Sequence, residues 1–139
     1  MNIQLVPAKK ENWDFILELR NTFFEMFHKQ TKPILKDEHY EYLKKQEKNP
    51  SFFHWIINVN DDTAGYIRIL DEDVGIMIKK EFQSKGIATK ALELVELEAK
   101  KNGIKKLVAL VKIENKESKK IFEKNNYEMK MFWYEKDIS

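Results

Sequence analysis

The sequence contains no cysteine, which removes a disulfide framework, a thiolate metal site and a cysteine nucleophile together. An excess of one charge is missing too: 25 Lys and Arg stand against 23 Asp and Glu, for a formal net charge of +2. Nothing in that balance calls for a nucleic-acid or a membrane partner. A nucleic-acid-binding domain would lose affinity steeply with salt because it rests on cationic surface, and the balance argues against one. No apolar run approaches the roughly 20 residues that span a bilayer. The amino-terminus has no basic stretch followed by an apolar signal core, so a cytoplasmic location is the expectation. There is no internal repeat, linker or low-complexity segment. With 139 residues and 42% hydrophobic content, the chain suits one domain over residues 1–139 with one sizeable core.

Patterning supplies the elements. Ile3-Gln4-Leu5-Val6-Pro7 alternates and closes on a proline that cannot donate to a ladder, as in a short strand. Ile16, Leu19, Phe23 and Phe27 recur at helical spacing, with Asn12 as candidate N-cap and Thr31-Lys32-Pro33 as the interruption. Asp37 and Glu38 open a second helix, in which Tyr40 and Leu43 share a face and which stops near Asn49-Pro50. In residues 52–60, Phe53, Trp55, Ile57 and Val59 fall on one side and Phe52, His54, Ile56 and Asn58 on the other, a strand covered on both faces. Turn signals at Asn60-Asp61-Asp62 and Asp71-Glu72-Asp73 separate it from runs 65–70 and 74–78, so these three strands should form an antiparallel meander.

Ala88, Ala91, Leu92, Val95 and Ala99 then repeat at helical spacing, and Lys100 and Lys101 precede Gly103, a stop signal. Residues 107–111 are unbroken apolar sequence, the pattern of a central strand buried on both faces and reached by a right-handed crossover. A last helix is expected over residues 114–124, ended by Asn125-Asn126. Tyr127, Met129, Met131 and Trp133 alternate as one or two terminal strands.

The stretch Gln83-Ser84-Lys85-Gly86-Ile87-Ala88 joins the 74–78 run to the patterned helix. A helix N-terminus offers unpartnered N–H groups and the positive end of the macrodipole, which suits phosphate oxygens. Gly86 lets the backbone approach a ligand closely, and Lys85 adds positive charge. These residues match every fixed position of the Gln/Arg-x-x-Gly-x-Gly/Ala loop, and at them the sequence resembles the GNAT family of acyl-CoA-dependent N-acetyltransferases. The order of parts over residues 60–130 is also similar, with Asn115 and Ser118 opening the last helix.

The resemblance implies an α+β, three-layer fold: a mixed, mostly antiparallel sheet of six to seven strands with helices on both faces. It also implies acetyl-CoA as acyl donor, direct attack by an amine in a ternary complex, and an acceptor side of the cleft between the first two helices. Cofactor-binding residues carried over are Ile76, Met77 and Ile78 on the strand, Gln83, Ser84, Lys85, Gly86, Ile87, Ala88 and Thr89 on the loop and helix start, and Asn115 and Ser118. Asn115 and Ser118 also suit a helix N-terminus as caps. The acceptor stays open among a small-molecule amine, an amino sugar and a protein amino-terminus, cued only by Leu19-Arg20-Asn21 and the Gly75 region. A homodimer is left open.

Amide formation requires an ammonium with pKa about 10.4 to lose a proton, and a donor for the developing oxyanion. Asp73, just before Gly75, can accept that proton directly or through water, or can stand as a solvated turn residue. His28, His39 and His54 lack evident partners and read as structural or surface residues. Arg68 can hold an anionic substrate group or lie at a sheet edge. No metal-ligand spacing occurs. Seven residues after Asn115, where many family members carry a tyrosine that protonates the leaving thiolate, this chain has Phe122. A coenzyme A thiol with pKa about 8.5 leaves fairly well without an acid. Tyr127 and Tyr134 are substitutes that the sequence does not place. Phe122 also keeps a second reading in view, a non-catalytic acyl-CoA-binding module.

Overall fold

In the computed structural model, which describes residues 1–27 and 30–139, the doubly apolar strand β2 (Phe52–Val59) sits inside an antiparallel sheet of order β1-β2-β3-β4. Its neighbours are β1 (Ile3–Pro7) and β3 (Asp62–Leu70), and β4 (Asp73–Ile78) follows β3. Both hairpin turns have two central residues, Asn60-Asp61 and Asp71-Glu72, with φ between 47° and 74°. Positive φ at both central positions gives the twist that tight hairpins need. His28 lies outside the described residues.

The two faces of the sheet carry different helices. Trp55, Ile57, Val59, Ile67, Ile69, Val74 and Ile78 pack under α3 (Ile87–Lys101) and α4 (Lys116–Lys124). Ile56, Tyr66 and Met77 point the other way, onto α1 (Trp13–Thr22) and α2 (Lys36–Gln46). On α3, Ala91, Leu92, Val95 and Ala99 are buried, as the spacing predicts, whereas Ala88 is half-buried and its neighbour Ile87 takes the buried place at the helix start.

Several sequence expectations shift. Asn12 occupies the N-cap of α1, yet its side chain accepts from the N–H of Lys9 at 2.9 Å and caps the preceding turn. α1 ends at Thr22 and does not reach Phe27; a single 3-10 turn, Phe24–Met26, follows. Asn21 then exchanges two hydrogen bonds with the backbone of Ile34, at 2.8 and 3.0 Å, which ties the connecting loop to the end of α1.

The run at 107–111 is not a central strand. It makes one parallel bridge to β4, Asp73 opposite Val108, with Val74 donating to the carbonyl of Val108 and Val108 to that of Glu72. Leu107, Ala109 and Val111 pack on the core, whereas Val108 and Leu110 are exposed, so one face is covered. The terminal alternation forms no ladder either: Met129, Met131 and Trp133 are exposed. The described sheet therefore has four strands where six to seven are expected. Alternation measures how well a segment suits a pleated surface, and a strand also needs a partner edge, which alternation cannot supply.

Candidate active site

The single bridge at Asp73 opens a gap. Successive N–H groups along a strand point to opposite edges, and Val74 already donates outward to Val108 at 2.8 Å. The N–H of Ile76 faces the same outer edge, beyond the point where the 107–111 run has parted from β4. Val74, Ile76, Ile78, Leu110 and Val111 line this gap, which belongs to a cleft of about 910 Å³. The side chains of Met77 and Ile78 are buried in the two cores, so it is the backbone of β4 that this edge offers.

The cleft continues to the N-terminus of α3. The side chain of Gln83 donates to the carbonyl of Ile78 at 2.9 Å and pins the loop to the end of β4. Ser84 (φ 61°) and Gly86 (φ 79°) are both left-handed. Gly86 is the N-cap of α3; no side chain caps the helix and its first turn has no acidic residue. The positive end of the dipole is thus unopposed, with the N–H groups of Ile87, Ala88 and Thr89 lacking intrahelical acceptors. A Cβ on Gly86 would meet nothing within 4 Å, because the position faces the open cleft. Gln83, Ser84, Gly86, Ile87, Ala88 and Thr89 all line the cleft; Lys85 does not, and its ammonium lies 5.9 Å over the Phe82 ring.

Across from the loop, Asn115 caps α4 by accepting from the N–H of Ser118 at 3.3 Å. Both residues also line the cleft. Phe122, in the position of the family tyrosine, is buried and packs edge-on against Tyr127 with centroids 5.0 Å apart. Tyr127 is on the core side, away from the cleft lining, and its hydroxyl is buried with no hydrogen-bond partner among the described residues. Burial pushes that phenol up to about 12. Tyr134 is exposed outside the lining. Neither tyrosine reaches the place Phe122 leaves unfilled.

The other half of the cleft sets a few polar groups among apolar side chains such as Ile16, Phe23 and Leu43. Arg68 on β3 pairs across the ladder with Gly75, and its guanidinium lies over that glycine. It donates to the Asp73 carbonyl at 2.7 Å and reaches the Asp73 carboxylate at 3.4 Å. Beside it on the same face, the Tyr66 hydroxyl lies 2.9 Å from Nδ1 of His54. Burial drives the Tyr66 phenol upward and holds the His54 imidazole down at about 4. His39 is fully buried: its Nε2 meets the Trp13 carbonyl at 2.8 Å and its Nδ1 meets the Arg20 guanidinium at 3.0 Å. Among the described residues, no group of three or more His, Asp or Glu side chains gathers as a metal site.

Sequence reading named Arg20 only within a short cue and missed Tyr42 and Tyr66. A signal existed. Arg20 occupies the i+4 slot of the Ile16, Leu19, Phe23 stripe, a charge where the pattern asks for an apolar residue. Tyr66 and Arg68 stand in register with Ile56 and His54, so their face was also legible.

Comparison with known proteins agrees with this fold. The sequence profile that matches is that of the acetyltransferase (GNAT) family, over residues 13–127. No curated protein matches the chain. Among solved structures, a domain from Methanocaldococcus jannaschii superposes with TM-score 0.80 at 22% identity, covering 91% of this chain and 88% of that one. An acetyltransferase from Clostridium acetobutylicum, solved with acetyl-CoA, gives 0.74 at 16% identity and covers 99% of this chain and 97% of its own. Spermidine N-acetyltransferase from Vibrio cholerae, in complex with CoA and spermine, gives 0.76 at 16% identity, covering 88% of this chain and 78% of that one.

Proposed function

We propose direct acetyl transfer from acetyl-CoA to an amine as the function of this chain, which belongs to the acetyltransferase (GNAT) family. One observation carries the reading: the cleft runs without a break from the parted edge of β4 to the uncapped N-terminus of α3. A long co-substrate with a pyrophosphate at one end and a thioester at the other has a place for each. The N–H groups of residues 87–89, with the left-handed Ser84 and Gly86 turning the backbone toward them, would hold the pyrophosphate. The edge of β4 would hold the pantetheine arm, with Asn115 and Ser118 on the facing wall. Bound there, the co-substrate supplies an activated thioester carbonyl.

The chain's residues then have separate tasks. The N–H of Ile76 faces the gap and would stabilise charge as it develops on the carbonyl oxygen, a contribution of about 3 kcal/mol for one well-placed donor. Asp73 would take the proton of the incoming ammonium, directly or through a water. Its carboxylate is oriented by Arg68 and lines the cleft where β4 begins. With Phe122 in place of the family tyrosine, the thiolate would leave on its own acidity.

Calorimetric titration with acetyl-CoA, followed by thiol release across a panel of amines, tests this. Binding followed by release on at least one amine supports an N-acetyltransferase. Binding without release on any amine would favour an acyl-CoA-binding module, the reading that Phe122 keeps in view.

A further inference from the structure

In the acceptor half of the cleft, Arg20 is a cation that no carboxylate pairs with among the described residues. Arg20 is half-buried and lines the cleft, with its guanidinium carbon 5.0 Å from the centroid of the Tyr42 ring. A guanidinium keeps its charge in any protein setting and presents five N–H donors. The one side-chain hydrogen bond found for it among the described residues goes to His39 Nδ1 at 3.0 Å.

His39 brings no negative charge. A carbonyl oxygen can only accept, so His39 must donate from Nε2 to Trp13 at 2.8 Å, and Nδ1 is then the lone pair that Arg20 meets. Burial and the Arg20 charge both lower the affinity of His39 for a second proton. The imidazole thus orients Arg20 without neutralising it.

The neighbours do not neutralise it either. Arg68 lies close enough for its charge to oppose that of Arg20, and the carboxylate of Asp73 is already on Arg68. Glu38 and Glu117 also line the cleft, but both are exposed and neither pairs with Arg20. Among the described residues Arg20 is therefore left without a paired carboxylate in a partly desolvated cleft, an arrangement costly in isolation and relieved by a bound anion.

We propose that the amine acceptor carries an oxyanion, a carboxylate or a phosphate, and that Arg20 binds it while His39 holds the guanidinium in place. This rests on the acetyl-transfer reading and narrows its acceptor. A planar fork matches either oxyanion with two parallel hydrogen bonds. The same two arginines act against a polycation, which would have to sit beside both.

The test follows thiol release from acetyl-CoA with matched acceptors: L-alanine against L-alaninamide, O-phosphoethanolamine against ethanolamine, and spermine alone. At least one anionic member should exceed its neutral partner tenfold or more in kcat/KM, and which pair shows it identifies the oxyanion. Arg20→Gln should bring that ratio to within about threefold. The wild-type ratio decides whether the acceptor is anionic even if the variant folds poorly, and an unchanged ratio in a folded Arg20→Gln would overturn the assignment to Arg20.

Equal rates within both pairs, spermine as the best acceptor, or release on neither anionic member would overturn the inference. Acetyl-CoA affinity, measured by calorimetry on the same preparation, separates the two levels. Acetyl-CoA binding with neutral amines preferred removes this inference and leaves the acetyl-transfer reading standing, whereas absent acetyl-CoA binding removes both.

Discussion

Arg68 lies across the face of Gly75: a Cβ at position 75 would come within 2.9 Å of the guanidinium carbon and 3.0 Å of one terminal nitrogen. The glycine thus makes room for the cation that holds Asp73. Gly75→Ala should cost little stability, because the group displaced is the end of a flexible side chain. It should lower turnover roughly tenfold or more, since small misplacements of an acceptor group are expensive in rate. Steady-state kinetics with a melting curve on the same sample check this; full turnover in a folded variant would show that the Arg68 position is immaterial.

If Asp73 takes the ammonium proton, Asp73→Asn should lower turnover by roughly 10² to 10⁴-fold. Acetyl-CoA affinity should change little, because the cofactor contacts proposed above lie further along β4 and on the loop. Normal turnover in this variant would assign the proton to another group.

Gly86 allows backbone strain and steric blocking to be told apart. Its φ of 79° is left-handed, and the space a side chain would enter is open cleft. Asparagine tolerates that backbone better than other non-glycine residues. Gly86→Asn should therefore stay folded and lose acetyl-CoA binding by more than tenfold. Gly86→Ala should cost about 1 to 2 kcal/mol of stability through φ alone. Unchanged calorimetric affinity in Gly86→Asn would remove the loop from the binding site.

His54 makes stability depend on pH. Burial holds its imidazole at about 4, against 6.5 when free, so the unfolded chain takes up this proton first as pH falls. The associated stability is present in full above about 6.5 and is lost progressively down to about 4. With its partial solvent screening allowed for, the loss is on the order of 1 to 2 kcal/mol. Urea midpoints at pH 7 and pH 4.5 should differ by less in His54→Gln than in the wild type. An equal pH dependence in both proteins would exclude His54 as its source.

Much of this was legible in the sequence, for stated reasons. The β2 and α3 patterns repeat over two or more periods, so their buried faces came out as read. Gly86 was legible because a strand, a glycine and a helix in succession leave few backbone solutions. The 107–111 run misled because unbroken apolar sequence does not say on how many faces it will be covered. The His39–Arg20 contact was illegible: the partners lie 19 residues apart on different helices, and only the packing of α1 against α2 joins them.

Acetyl transfer in one step, with no acetylated enzyme, is the last prediction. Cysteine is absent, and a serine nucleophile needs a base within hydrogen-bond reach. Among the described residues, His39 is committed to Trp13 and Arg20, and His54 to Tyr66. Neither lines the cleft with Ser84 and Ser118. Both substrates must then be bound together, so initial-rate lines at several fixed acceptor concentrations should intersect. Intact-mass spectra after incubation with acetyl-CoA alone should show no adduct that passes its acetyl group to an amine. Parallel lines together with such an adduct would establish a two-step route and point first to Ser118, the hydroxyl on the cleft wall at the start of α4.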